Sequence, residues 1–168
     1  MKKRFFTAFI ALVLLCIAAA ALIYTRPLTI EERYPVLDLS SCTLISGYFR
    51  DGADAENTRF TISMDDPDFE EMIELFRSAQ FKTKLQNILP GGTKTHRYQA
   101  GDFEWEVVFR FEDVLFPTGD VGSGDMLHVS NFFGDINLLF DGEQVECSVK
   151  NQSQWLKDVM AVVTPYPD

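Results

Sequence analysis

Residues 103–111 read FEWEVVFRF, and Glu112 follows. Phe103, Trp105, Val107, Phe109 and Phe111 alternate with Glu104, Glu106, Val108, Arg110 and Glu112. Side chains of an extended chain point to opposite faces in turn. This stretch is therefore a strand with one apolar face and one polar face. Such strands belong to antiparallel sheets that cover one side and leave the other wet.

The same pattern extends towards the C-terminus. After the glycine-rich loop FPTGDVGSGD (116–125), residues 126–130 read as another strand. INLLFDGEQVECSV (136–149) reads as a tight hairpin turning at Asp141-Gly142, since Asp-Gly suits a two-residue turn with positive φ. That turn would place Leu138 opposite Val145 and Ile136 opposite Cys147, all apolar. A helix is expected over 152–163, with Trp155, Val159 and Val162 on one stripe and Asn151 as its cap.

Towards the N-terminus, 42–50 (CTLISGYFR) and the alternating 59–64 (RFTISM) read as a hairpin with DGADAEN as its loop. DDPDFEEMIELFRSAQ (65–80) reads as a helix: Asp66 as N-cap, Pro67 in the first turn, acids near the positive end of the dipole, and Phe69, Met72, Ile73 and Phe76 at helical spacing. FKTKL (81–85) alternates like a short strand, although its apolar positions also suit a helical continuation. The expected class is α+β, a mostly antiparallel sheet with two helices packed on one face.

The chain opens MKKRFFTAFIALVLLCIAAAALIYTRP. Three basic residues precede an uncharged run over 5–24, 20 residues, which as a helix would measure roughly 30 Å. The basic end predicts a signal-anchor with the remaining chain outside the membrane. The expected organisation is a transmembrane helix over 1–24, a juxtamembrane stalk over 25–40 and an extracytoplasmic domain over 41–168. The expected location is the cell membrane, single-pass. Cleavage within the alanine run would give a secreted protein instead. Lipidation at Cys16 needs a small preceding residue, and Leu15 is large.

From Pro27 onward there are 11 Lys and Arg against 25 Asp and Glu. That balance argues against a nucleic-acid partner. Cys42 and Cys147 lie on predicted strands and form a candidate disulfide in an oxidising compartment, with two buried thiols as the alternative.

No catalytic set appears. His96 and His128 lie on separate elements without HExxH spacing, so no metal site is assigned. Ser123 lacks the glycine two residues earlier that a nucleophile elbow requires, and PGGTKTH lacks the first P-loop glycine. Asp51, Asp54, Glu56, Asp120 and Asp125 cluster in two loops without EF-hand spacing. No cofactor is expected. Phe116, Phe132 and Phe133 are apolar loop residues that could contact a partner.

One charge asymmetry stands out. Arg77, Lys82, Lys84, Lys94 and Arg97, joined by His96, crowd one part of an acidic chain beside Gly91-Gly92. They are the candidate ligand-binding patch for an anion or anionic polymer. The expected function is a non-catalytic binding or interaction domain at the cell envelope. Its expected partners are the membrane, through the N-terminal helix, and an envelope protein or anionic polymer. The alternatives are an envelope-associated enzyme or accessory, and a secreted calcium-stabilised module.

Overall fold

A computed structural model describes residues 2–52, 55–84, 103–111, 126–131 and 136–166. The elements are α1 (Lys2–Tyr24), β1 (Pro27–Leu28), α2 (Ile30–Arg33), a 3-10 turn (Leu39–Ser41), β2 (Cys42–Asp51), β3 (Thr58–Ser63), α3 (Phe69–Arg77), β4 (Phe81–Thr83), β5 (Phe103–Phe111), β6 (Met126–Ser130), β7 (Ile136–Phe140), β8 (Glu143–Val149) and α4 (Gln152–Val163). The class is α+β, with one antiparallel sheet and, among the described residues, four α-helices. Strand order is β1-β4-β8-β7-β6-β5-β2-β3.

The β7–β8 hairpin has the expected register, with Leu138 opposite Val145 and Ile136 opposite Cys147. Asp141 (φ 49°) and Gly142 (φ 76°) both take positive φ, which a two-residue primed turn requires. In β5, Trp105, Val107, Phe109 and Phe111 are buried. They meet Phe49, Gly47 and Ile45 on β2 and Leu127 and Val129 on β6. The helices lie on this apolar face. Phe76 of α3 packs edge-on to Phe109 at 4.7 Å and to Trp155 of α4 at 5.1 Å. Trp155 also meets Trp105 at 5.8 Å, and its indole N–H donates to the Leu75 carbonyl at 3.0 Å. Each such aromatic side chain removes some 150–250 Å² from water, and together they form the centre of the core.

One helix start differs from expectation, and a second begins as expected with a different cap geometry. Asp66 does not cap α3; its carboxylate accepts from the Ser63 N–H (2.7 Å) and hydroxyl (2.9 Å), closing the turn after β3, and α3 begins at Phe69. Asn151 precedes α4 as expected, but in left-handed conformation (φ 55°) and without a side-chain cap bond. Its carbonyl instead accepts from the N–H of Gln154 and Trp155.

The stretch expected as a stalk is part of the domain. Ile30, Tyr34, Leu37 and Leu39 are buried in the core, and β1 pairs with β4. Thr29 and Glu32 form a reciprocal capping box around α2, with bonds of 2.8 and 3.2 Å.

The membrane-spanning expectation is also corrected: among the described residues no helix is long and apolar enough to cross a membrane. A single-pass membrane location is therefore not supported.

The expected disulfide is corrected as well. Cys42 and Cys147 are free and buried. β5, β6 and β7 separate β2 from β8, four strand spacings or about 19 Å, where a disulfide needs Cα atoms within about 7 Å.

Candidate functional site

Among the described residues, no helix covers the opposite face of the sheet. Strand alternation places there the side chains opposite the core-facing ones, of which Glu104, Ser130 and Asn137 are themselves buried. One row crosses six strands: Arg59, Tyr48, Glu106, Ser130, Asn137 and Glu146 are successive Cα partners. Every residue in it is polar. The neighbouring row is Thr61, Ser46, Val108, His128, Leu139 and Gln144. A third holds Ser63, Leu44, Arg110 and Met126.

Two side-chain contacts order this surface. The Glu106 carboxylate lies 2.9 Å from His128 Nδ1. Arg50 donates to Glu104, whose side chain is only 12% exposed. Because Glu104 is nearly enclosed, removing Arg50 would leave a buried charge without its partner, a costly state. Gln144 donates to Asn137 at 3.1 Å. Leu139 is 39% exposed, and Tyr48, Leu44, Val108 and Met126 are half-buried.

Glycine and asparagine hold the strands that carry these groups. A Cβ at Gly47 would stand 2.0 Å from the Glu106 carbonyl and 2.8 Å from the Phe60 ring. β2 and β5 approach this closely beside Glu106 because residue 47 has no side chain. At the far end, Asn131 accepts from Trp105 N–H (2.8 Å) and donates to the Phe103 carbonyl (2.6 Å), finishing the β5–β6 ladder with a side chain.

No neighbouring hydroxyl or thiol hydrogen-bonds His128 among the described residues. Among the described residues no nucleophile is aligned with the imidazole, as nucleophilic catalysis requires. Also among the described residues, no three His, Cys, Asp or Glu side chains are placed to hold a metal ion. Cys42 and Cys147 have thiols pushed up to about 11, in both cases chiefly by burial, so they remain protonated at neutral pH.

Of the candidate patch, the structure separates what it describes. Arg77 lies in the helix layer, with Glu31 at 3.7 Å, Glu70 at 3.8 Å and Glu74 closer still. Lys82 points the other way, since its neighbours Phe81 and Thr83 are the buried ones. Lys84 continues that alternation, its N–H donating to the Glu146 carbonyl at 3.2 Å. Lys94, His96 and Arg97 lie outside the described residues, as do Asp54, Phe116, Asp120, Ser123, Asp125, Phe132 and Phe133.

Compared with protein-family models, curated proteins and solved structures, the chain matches none.

Sequence reasoning assigned His128 no role, yet the structure places it against Glu106. The alternation of β5 identified Glu106 as a wet-face residue. Its neighbours on β2 and β6 depend on strand order.

Proposed function

We propose that this chain is a non-catalytic binding domain whose contact surface is the helix-free face of the sheet. The observation that carries the reading is the two adjoining rows across six strands, where half-buried Tyr48 and Val108 and exposed Leu139 are interleaved with Arg59 and the Glu106–His128 contact. A wet sheet face needs only polar side chains to stay soluble. Aromatic, apolar and arginine side chains held in fixed positions are instead the composition of protein contact surfaces. Among the described residues His128 has no aligned nucleophile, which supports binding over acyl transfer.

The test is turnover. The purified full chain is screened against ester, phosphoester and glycoside substrates beside His128→Ala and Glu106→Gln. The reading expects no activity that depends on either residue. Turnover by the natural chain that both substitutions abolish would sink it.

A further inference from the structure

Charge is segregated between the two faces of this domain. From Pro27 onward, the described residues include nine Lys and Arg and seventeen Asp and Glu. Five of the nine cations belong to the helix-free face: Arg50, Arg59, Lys82, Lys84 and Arg110. Only three of the seventeen acids do, Glu104, Glu106 and Glu146. All three are engaged, Glu104 by Arg50 and Glu106 by His128. The chain as a whole is at −10, so this face is its cationic exception.

The exposed cations differ in their surroundings from Arg77. Arg59, Lys82 and Arg110 are exposed and have no carboxylate within ion-pair distance among the described residues. Arg77, in the helix layer, has three. Exposed cations without an ion pair among the described residues, on a chain of net charge −10, present a positive field in that direction.

Dimensions fit a macromolecular partner. From β3 to β4 the face spans six strand spacings, about 29 Å. Three rows at about 6.6 Å cover the other direction, giving at most roughly 570 Å², a contact of segment size beside the ~800 Å² per partner of a standard interface.

We propose that the helix-free face docks an acidic protein segment, its carboxylates meeting Arg59, Arg110 and Lys82 around Leu139 and Tyr48. This rests on the reading that the face is a contact surface. The apolar and aromatic residues between the cations favour a protein over a bare polyanion, which would meet a more uniformly basic stripe.

The experiment measures binding of the full chain to fluorescent poly-glutamate at low salt, with polyphosphate and single-stranded RNA as parallel probes. Poly-glutamate is expected to bind, with affinity falling severalfold between 50 and 300 mM sodium chloride as screening shortens the field. Arg59→Glu, Arg110→Glu and Lys82→Glu should each weaken binding about 5–10-fold. Lys157→Glu, on the helix layer, should change it less than twofold. These substitutions are at exposed positions, and melting curves establish that each variant is folded. Equal loss from Lys157→Glu overturns the proposal, because it would mean the net charge and not the face is recognised. So does absence of poly-glutamate binding, or binding of polyphosphate or RNA alone. A failure here leaves the non-catalytic reading to its own test, which measures turnover.

Discussion

Gly47→Ala is a single-methyl test of the β2–β5 contact. An ideal Cβ at this position meets the Glu106 carbonyl oxygen at 2.0 Å, its carbon at 3.1 Å and Phe60 Cζ at 2.8 Å. Ordinary contact begins near 3.4 Å, so the oxygen must retreat by about 1.4 Å. The Phe60 ring could yield by rotating. The carbonyl belongs to the backbone of a strand paired over nine positions with β2, and it has no rotamer to change. Overpacking of this kind costs about 1–3 kcal/mol. Two neighbouring ladder hydrogen bonds weakened by the shift add about 1 kcal/mol each. Lower unfolded-state entropy in alanine offsets about 0.5–1 kcal/mol. The net expectation is a loss of about 2–4 kcal/mol, or roughly 10 °C in Tm for a domain of this size. Thermal and urea unfolding followed by circular dichroism measure it. Gly52→Ala is the control: its Cβ meets nothing within 4 Å, so it suffers only the strain of φ +97°, about 1–2 kcal/mol. A Gly47→Ala protein melting within 2 °C of the natural chain, or above Gly52→Ala, would refute the close approach.

Three further outcomes follow from the core. Tyr34→Phe should raise stability by about 1 kcal/mol, read from urea midpoints, because the Tyr34 hydroxyl is buried without a hydrogen-bond partner among the described residues and its removal ends a desolvation cost; a loss of stability would show that the hydroxyl is bonded. Trp155→Ala should cost about 3–5 kcal/mol, since it empties the space between Phe76, Phe81 and Trp105 and removes the bond to Leu75; a cost under 1 kcal/mol would contradict the packing. The third concerns alkali. Cys42 and Cys147 hold their protons to about pH 11, against 9.0 for an ordinary thiol, so the folded state binds them more tightly than the unfolded one. Their contribution is complete below pH 9 and is lost as pH rises towards 11, at up to about 1.4 kcal/mol per pH unit for each thiol. Urea midpoints measured from pH 8 to 11 should fall, and the slope should flatten in a Cys42→Ala, Cys147→Ala protein. An unchanged slope would remove the thiols from the explanation.

Local pattern carried much of the fold. The alternation of 103–111, the Asp141-Gly142 turn and the Trp155, Val159 and Val162 stripe each encode one element through the period of the backbone itself. The short helix α2, which buries Ile30, also had a local signal. Thr29 and Glu32 stand at capping-box spacing, but the prolines and charges around them suggested a linker. Asp66 illustrates the opposite failure. Its position before Pro67 favours a helix cap, yet Ser63 takes its carboxylate, and that competition is a property of the β3 exit.

What the sequence by itself determined is which side chains turn inward and which outward on each strand, because that follows from a two-residue repeat. What only the tertiary structure decided is which strands stand side by side. Glu106 meets His128, and Arg50 meets Glu104, through the β2–β5–β6 order, which closes loops of unequal length and leaves no trace in local periodicity. The same order keeps Cys42 four strands from Cys147 and turns Lys82 away from Arg77. It gathers Arg59, Arg110 and Lys82, scattered along the chain, onto one face.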